Sequence, residues 1–440
     1  MMDRARISAE RALFIRSMMM SAFVLVAGAA SMRAATLCVA EHGHSSCYSS
    51  ISAAVAAASA GDTVQVGPGT YAEDVTITKS ISLVGQNSAS TIIDATGKSN
   101  GIYVDGFHAP GLTGVVVRGF TVENANYEGM LIQNASDVTI SGNTVRLNDR
   151  DEVNGTGCAG LPPFETNEAD DCGEGIHLMG VDHSTVADNT VEHNSGGILV
   201  SDETAANHDN VITRNTVRDN AYDCGITLAS HAAFMPNATN THAYGVWHNT
   251  VSNNLSRHNG FGGPGGGAGV GVFAAGPWQV AIYNTVINNR LIDNSHPGVS
   301  VHTHAFLTFP GHPPNPNAND NAIIGNYISG NGPDDSVGTT ASTGIGVLGA
   351  TPITGLVISG NVIEDESIDV AFKSASAMQL HLNNLSGNGI GVQNLNAAGT
   401  VDATENWWGC SGGPAANGCS TVSGPNVTWT PWLTTPIEAH

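Results

Sequence analysis

The chain alternates short segments, in which every second residue is apolar, with turns rich in Asn and Gly. In the fullest copies, such as VTISGNTVRLN and NTVINNRLIDN, a β-type segment leads into an Asn, with an apolar residue two positions later and a second Asn five positions later. Alternation with a period of two is typical of strands that bury one face. Each copy therefore predicts two short strands joined by a tight turn.

This motif repeats along most of the chain, at intervals between 22 and 46 residues. Its first Asn is found at Asn143, Asn189, Asn215, Asn254, Asn289, Asn326, Asn361 and Asn383. Asn tolerates the left-handed backbone that a sharp turn needs, and its amide can hydrogen-bond to the Asn of the next coil. We therefore expect these residues to take the left-handed turn position and to stack in a ladder. A constant strand pattern with variable spacing predicts a solenoid with loop insertions.

A second segment, Gly-apolar-x-apolar, accompanies the Asn motif. It begins at Gly101, Gly129, Gly175, Gly197, Gly225, Gly269, Gly298, Gly344 and Gly389. The first and third residues after Gly are predicted to point inward, and the second and fourth to point outward onto one exposed sheet. The pattern thus favours an all-β, single-stranded parallel β-helix of roughly eight to eleven coils.

Both ends of such a solenoid need a cap, because an open end exposes the core and the strand edges. Residues 37–61 are predicted to form the N-terminal cap, with a short amphipathic helix over about 49–60. Residues 402–434 are predicted to form the C-terminal cap, and the whole β-helix domain spans 37–434. The hydrophobic plug of this second cap is expected to consist of Trp407, Trp408, Trp429 and Trp432.

Composition narrows the possible partners. The formal net charge is -23, with 15 Lys and Arg residues against 38 Asp and Glu. Nucleic acids need a positive surface, so they are excluded as partners. The charge also disfavours binding a polyanionic sugar through basic side chains alone, although a divalent metal such as calcium would reverse this locally.

The N-terminus has the pattern of an export signal. Four Arg residues precede an apolar segment from Met18 to Ala29, and Ala27-Gly28-Ala29 offers a cleavage pattern. We expect residues 1–29 to be removed, with the cut between 29 and 35; the alternative, a membrane anchor, needs a longer apolar segment. The mature chain is expected to be secreted, extracellular or periplasmic, with no membrane span.

Seven cysteines fit an oxidising compartment. The close spacings predict the disulfides Cys38–Cys47, Cys158–Cys172 and Cys410–Cys419, which leaves Cys224 unpaired. A rival pairing of Cys172 with Cys224 would free Cys158 instead.

The segment ISAAVAAASAGDTVQVGPGTYAEDVTITKSISLVG, the repeated coils and the ending ENWWG…PWL resemble bacterial right-handed parallel β-helix repeat proteins of the pectin-lyase-like superfamily. The resemblance covers nearly the whole mature chain and implies a right-handed coil. It does not select an activity, because this superfamily includes polysaccharide lyases, glycoside hydrolases, epimerases, phage tailspikes and non-catalytic surface proteins.

Chemistry-bearing residues gather on the outward positions of neighbouring coils. His177 is at an outward position, Asp202 and Glu203 follow the next strand, and His231 has the offset of Glu203 one coil later. Because adjacent coils are about 4.8 Å apart, these four residues are predicted to lie close together. A carboxylate beside an imidazole is a plausible acid–base pair, so all four are candidate catalytic residues; the same set is also a candidate metal site.

Substrate-binding candidates lie further along the same coils. His302 and His304 are expected about 10 Å from the first group. The aromatic rings of Trp247 and Phe273 are suited to stacking on sugar faces.

The leading hypothesis is therefore a secreted carbohydrate-active protein that binds a polysaccharide on its exposed sheet, as a lyase, an epimerase or a glycoside hydrolase. The alternative is a non-catalytic β-helix that binds a surface or matrix. A third hypothesis is a periplasmic metal-handling β-helix, prompted by 17 histidines.

Overall fold

The computed structural model describes residues 34–41, 46–149, 173–230, 244–263, 266–274, 276, 278–304, 315–387, 389–414 and 416–438. Its strands are short, and each pairs in parallel with the equivalent strands of the neighbouring coils. Among these residues there is one helix, Ile51–Ala57, which precedes the second strand. The all-β parallel coil predicted from the repeat is confirmed.

Three long sheets, named here in the order in which their first strands occur, run along the described part of the solenoid. The strands of the first sheet are Thr36–Val39, Thr63–Val66, Ser82–Gly85, Val116–Arg118, Thr139–Ser141, Thr185–Ala187, Val211–Thr213, Thr250–Ser252, Thr285–Ile287, Ala322–Ile324, Val357–Ser359, Ala377–His381, Thr400–Asp402 and Val427–Thr428. The strands of the second sheet are Gly69–Tyr71, Thr91–Asp94, Thr121–Glu123, Thr144–Arg146, Thr190–Glu192, Thr216–Arg218, Leu255–Arg257, Arg290–Ile292, Tyr327–Ser329, Val362–Glu364 and Asn384–Leu385.

The third sheet carries the Gly-apolar-x-apolar segments. Its strands are Val75–Ile77, Ile102–Asp105, Met130–Gln133, Glu174–Met179, Gly196–Ser201, Ile226–Ser230, Val270–Ala274, Val299–Thr303, Thr343–Gly349, Ile368–Ser374, Ile390–Asn394 and Thr421–Ser423. A small sheet, placed between the third and first sheets in chain order, consists of Asn207–His208, Val246–Trp247 and Ala281–Ile282.

The coil number is higher than the eight to eleven predicted. Among the described residues the third sheet has 12 strands and the first sheet has 14. The difference arises at the ends, where strands that lack the Asn motif still pair with their neighbours. Thr36–Val39 pairs with Thr63–Val66 at one end, and Val427–Thr428 pairs with Thr400–Asp402 at the other.

The core is a stack of apolar residues from equivalent positions of successive coils. Ile176 pairs in register with Ile198, and Ile198 with Ile226. All three side chains are buried. The predicted inward column is therefore confirmed, and residues far apart in sequence become direct neighbours.

The last Gly segment departs from the predicted alignment. Val370 pairs with Val392, which places Gly391 rather than Gly389 in the Gly column. A Cβ at Gly391 would lie 2.8 Å from the Trp408 ring, so the buried indole requires glycine there. Ile390 consequently stays outside the main core and packs with Val337.

Asn ladders line the turns between the sheets. In each, the side-chain amide donates to the Oδ1 of the next Asn, as from Asn254 to Asn289 at 3.0 Å and from Asn289 to Asn326 at 3.0 Å. One ladder consists of Asn143, Asn189, Asn215, Asn254, Asn289, Asn326, Asn361, Asn383 and Asn406. A second consists of Asn148, Asn194, Asn220, Asn259, Asn294 and Asn331, and a third of Asn210, Asn249, Asn284 and Asn321.

The left-handed turn position belongs to a different residue from the one predicted. It is the residue before the ladder Asn, as at Asp188 with φ 59° and Asn253 with φ 57°. The ladder Asn directs its own backbone N–H as well as its amide to the next coil, as Asn189 does toward Asn215. The reversal of the chain is therefore made one residue earlier.

Both ends close as hydrophobic caps. The Ser50 hydroxyl accepts the Ala53 N–H at the start of the helix, which buries Ile51 and Val55. At the other end Trp408 is fully buried. The partly buried rings of Trp429 and Trp432 pack against the core, with centroids 5.6 Å apart.

The disulfides Cys38–Cys47 and Cys410–Cys419 are formed as predicted. Cys158 and Cys172 lie outside the described residues. Cys224 is buried and free, so it does not form the rival bond to Cys172, and burial holds the pKa of its thiol well above the ordinary value. In the part of the chain that the structure describes, no helix has the length and hydrophobicity to cross a bilayer.

Candidate functional site

The candidate site lies on the outward face of the third sheet. His177 pairs in register with Leu131 on one side and Leu199 on the other, at the outward position predicted for it. Ser201 ends the next strand, two residues further along at the next outward position, and pairs with Met179 and Ala229. Parallel pairing brings the two polar side chains together diagonally across adjacent coils.

His177 bridges a carboxylate and a hydroxyl. Its Nδ1 lies 2.8 Å from Glu128 Oε1, and its Nε2 lies 2.7 Å from Ser201 Oγ. Glu128 is fixed in turn by the backbone N–H of Glu174, which donates to Glu128 Oε2 at 2.7 Å. The sequence Glu128–His177–Ser201 is thus a continuous hydrogen-bonded chain that crosses three coils.

Two further carboxylates approach the same imidazole. Glu174 Oε2 lies 3.9 Å from Nδ1, and Glu203 Oε2 lies 3.8 Å from Nε2. The Ser201 hydroxyl also donates to Glu203. Glu128, Glu174, His177, Ser201 and Glu203 are all buried, so their charges interact with little screening by water.

The contacts constrain the protons. An ionised Glu128 only accepts hydrogen bonds, so the Nδ1 of His177 carries a hydrogen, and the Nε2 of a neutral imidazole is left as an acceptor. The Ser201 hydroxyl has one proton and two neighbouring acceptors, His177 Nε2 and Glu203. A proton can therefore move along this chain of groups without a change of backbone geometry.

Asp202 belongs to a separate set of contacts. Its Oδ2 accepts the Ser230 hydroxyl at 3.0 Å and also the Gly245 backbone N–H. Ser230 Oγ in turn accepts the Val280 N–H at 2.9 Å. These bonds connect successive coils beyond the strand end, so the geometry gives Asp202 a role in holding the coils. His231, the fourth predicted catalytic residue, lies outside the described residues.

The predicted binding residues divide into two groups. His302 Nε2 lies 2.9 Å from Asp334 Oδ2, and the His302 and Phe273 rings are 5.5 Å apart. His304 stands edge-on to His302 at 5.1 Å. Trp247 is elsewhere, on the small sheet, where it stacks on His208 at 5.0 Å.

Burial and charge set the ionisation of the second group. Burial lowers the pKa of His304 to about 4, and the nearby charge of His302 adds a smaller lowering effect. Burial alone would raise the pKa of Asp334, but the charge and hydrogen bond of His302 and the Val337 N–H lower it. The cluster thus contains a neutral imidazole beside a carboxylate at neutral pH.

Sequence reasoning missed Glu128, Glu174 and Ser201. A signal was present, because Glu128 and Glu174 both stand immediately before a repeat Gly, in equivalent places of two neighbouring coils. Ser201 is the fourth residue after Gly197, the position that His302 has after Gly298. Alignment of the coils was enough to place these side chains beside His177.

The same residues could hold a metal ion. Glu128, Glu174 and His177 each present a ligand atom, and these atoms lie within 4.8 Å of one another. Mixed carboxylate and imidazole donors suit a transition metal better than calcium, which takes six to eight oxygen ligands.

Comparisons with known proteins concern the fold. The chain is similar to an alginate lyase from Paenibacillus, at 12% identity and a TM-score of 0.43 over 90% of this chain and 99% of that one. It is similar to the A-module of a mannuronan C-5 epimerase from Azotobacter vinelandii, at 15% identity and a TM-score of 0.46 over 87% and 94%. A surface adhesin of Streptococcus pneumoniae matches at 13% identity and a TM-score of 0.42 over 81% and 80%.

No curated protein matches the sequence. Residues 80–261 match the family model described as right handed beta helix region. The stacked parallel coils and this match together give the chain the fold of a right-handed parallel β-helix.

Proposed function

We propose that this chain is a secreted carbohydrate-active hydrolase that binds a polysaccharide along the outward face of the third sheet and cleaves ester groups from it. The observation that supports this reaction is the hydrogen-bonded chain Glu128–His177–Ser201, with contacts of 2.8 and 2.7 Å. A carboxylate that orients an imidazole, which in turn contacts a hydroxyl, is the arrangement of serine hydrolases on unrelated folds.

Each group then has a defined task. Ser201 Oγ attacks the ester carbonyl carbon while its proton passes to His177 Nε2. The sugar hydroxyl leaves with that proton, and a water molecule repeats the sequence to release the acid and restore Ser201. Glu128 keeps Nδ1 protonated and stabilises the imidazolium that forms in both steps.

The charge around His177 favours this reaction over uronate chemistry. Glu174 and Glu203 lie within 3.9 Å of the imidazole, and in the described strands of the third sheet Lys373 is the only Lys or Arg. A lyase or an epimerase acting on uronates must neutralise the substrate carboxylate, and the described residues of this face supply no Lys or Arg near His177. A neutral, acylated polysaccharide meets no such repulsion.

Glycoside hydrolysis needs two carboxylates free to flank the scissile bond. Here Glu128 is engaged by His177 and by a backbone N–H, and Glu203 by the Ser201 hydroxyl. The arrangement therefore favours attack by Ser201 over direct attack by a carboxylate.

The His302 cluster supplies a binding subsite on the same face. Ser201, Ala229, Phe273 and His302 follow one another in register on four neighbouring strands. Three strand spacings place His302 about 14 Å from Ser201, which is the length of a short oligosaccharide. Phe273 can stack on a sugar ring, and His302, oriented by the buried Asp334, can hydrogen-bond to its hydroxyls.

The test is acetate release from acetylated neutral polysaccharides, combined with labelling by a fluorophosphonate probe. Ser201→Ala is expected to abolish both, and Glu128→Gln to lower turnover at least a hundredfold without unfolding the protein. Ser300→Ala is the matched control, because Ser300 is a buried outward serine of the same sheet. It should retain turnover and labelling.

Turnover that survives in Ser201→Ala would refute the proposed reaction. Glycan binding without acetate release or labelling would refute it as well, and would favour the non-catalytic surface-binding alternative. Reducing ends or unsaturated uronates appearing in place of acetate would assign the chain to the glycoside hydrolases or the lyases.

A further inference from the structure

A second cluster of histidines lies at the turn that leads from the small sheet to the first sheet. The left-handed residues of three successive coils stack there as His183, Asp209 and His248, with φ between 51 and 57°. Asp182 and His208, the residues before the first two, stand side by side in the same turn. This cluster is separate from the hydrogen-bonded chain around His177.

The ligand atoms converge on Asp209. His208 Nδ1 lies 2.8 Å from Asp209 Oδ2, and His183 Nε2 lies 4.0 Å from the same oxygen. His248 Nδ1 lies 3.7 Å from the other oxygen, Oδ1. One atom each from His183, His208 and Asp209 falls within a mutual distance of 4.8 Å.

Asp182 fixes the orientation of the first histidine. Its Oδ1 lies 2.7 Å from His183 Nδ1, which directs Nε2 toward Asp209. Histidines that bind metals commonly donate their other ring N–H to a carboxylate in this way. Stacking on Trp247, at 5.0 Å and 7° between the planes, holds the His208 ring.

We propose that His183 Nε2, His208 Nδ1 and Asp209 form a surface site for a divalent transition-metal ion such as Zn²⁺, with His248 or a water molecule as the fourth ligand. Two imidazoles and a carboxylate match the ligand preferences of zinc and do not match those of calcium. Metal–ligand distances of about 2.1 Å require donor atoms about 3.4 Å apart. Small rotations of the exposed His183 and Asp209 side chains can bring their ligand atoms to that spacing.

The chain contains its own matched control. Ten residues later in the same three coils, the left-handed positions are again His, Asp and His, at His193, Asp219 and His258. There, Asp219 pairs with Arg218 at 3.1 Å as well as with His258 at 2.9 Å, and His193 faces the Asp219 backbone carbonyl. The residue types and the backbone conformation are the same, but the converging donors are missing.

The experiment is titration of the tag-free, exported protein with Zn²⁺ by calorimetry at pH 7.5, with the visible spectrum of the Co²⁺ form as a second readout. We expect a saturable site in the wild type and a Co²⁺ spectrum of a four- or five-coordinate N/O site. Asp209→Asn and His183→Asn should each weaken Zn²⁺ binding at least tenfold. Asp219→Asn and His193→Asn should leave the binding of Zn²⁺ unchanged.

The substitution to Asn preserves tolerance of the left-handed backbone, so all four variants are expected to fold. Unchanged Zn²⁺ affinity in both Asp209→Asn and His183→Asn would overturn the proposal, even if the ion binds elsewhere. Equal losses of Zn²⁺ affinity in Asp219→Asn and His193→Asn would overturn it too, since they would indicate non-specific binding by surface histidines. Neither outcome bears on ester hydrolysis at Ser201.

Discussion

Glu366 occupies the end of the second Asn ladder, where Asn331 donates both its backbone N–H and its side-chain amide to Glu366 Oε1, each at 2.9 Å. A carboxyl group thus replaces the amide that closes this position in the other coils. Burial raises the pKa of Glu366 to about 7, against the opposing effect of the Asn331 hydrogen bonds. Asp369, also buried, has its pKa raised well above the ordinary value by burial.

The first prediction concerns Glu366→Gln and pH. Because the folded pKa is raised, the native state holds a proton that the unfolded state releases between pH 4.5 and about 7. The stability contributed by protonated Glu366 is therefore complete below pH 4.5 and is lost as pH rises through 7. Gln retains the acceptor for Asn331 and has no charge to bury, so Glu366→Gln should be more stable at pH 8, by up to roughly 3 kcal/mol.

Chemical denaturation at pH 5 and pH 8 checks this. The difference in unfolding free energy between variant and wild type should fall below about 1 kcal/mol at pH 5. Asp365→Asn, a change at the exposed neighbouring carboxylate whose charge only adds to the rise in the Glu366 pKa, is the control and should show a smaller pH dependence. An equal stabilisation by Glu366→Gln at both pH values would contradict the burial argument.

The second prediction concerns two adjacent asparagines, Asn288 and Asn289. Asn289 Oδ1 accepts two hydrogen bonds from Asn254, and its amide donates to Val251 O at 2.9 Å. Asn289→Ala leaves these buried groups unpaired and should lower the unfolding free energy by about 2 to 5 kcal/mol.

Asn288 is exposed and left-handed, with φ 56°, so Asn288→Gly should change the unfolding free energy by less than about 0.5 kcal/mol. Denaturant titrations of both variants make the comparison. Similar decreases of the unfolding free energy in Asn289→Ala and Asn288→Gly would indicate that the turn conformation, rather than the ladder, stabilises the coil.

The third prediction separates Asp202 from Glu203. Asp202→Ala removes the acceptor of the Ser230 hydroxyl and the Gly245 N–H, so it should lower the unfolding free energy by about 1 to 3 kcal/mol. Glu203→Gln keeps an oxygen beside Ser201 and should affect turnover more than stability. Melting temperatures and acetate release should be measured on the same preparations. Loss of turnover in Asp202→Ala at an unchanged melting temperature would restore Asp202 as a catalytic residue.

The fourth prediction concerns His304 and acid stability. Burial lowers the pKa of His304 to about 4. Between pH 6.5 and 4 the unfolded chain therefore binds a proton at this histidine, whereas the native state does not. The unfolding free energy should decrease as the pH is lowered from 6.5 to 4, and His304→Gln should make this decrease smaller. If His304→Gln loses as much stability between pH 6.5 and 4 as the wild type does, groups other than His304 control the acid stability.

Much of the fold could be predicted because each strand is short and its pattern is local. Alternation placed Ile176, Ile198 and Ile226 inward, and their register confirms it. Spacing also predicted the partners of the Asn ladder, including the 46-residue step from Asn143 to Asn189. The prediction was wrong at Gly389, because Gly391 occupies the Gly column there and the buried Trp408 ring leaves no space for a side chain at that position.

The sequence by itself determined the parallel coil, its inward columns and the face on which His177 would stand, because these depend only on the period of two and on equivalent positions in successive repeats. Tertiary structure alone decided which side chains meet across coils. Glu128 and Ser201 contact His177 from two different neighbouring coils, 49 and 24 residues away in sequence. Asp202 turns to Ser230, although Ser201 beside it contacts His177. Such contacts depend on side-chain direction and distance across stacked strands, which a linear pattern does not contain.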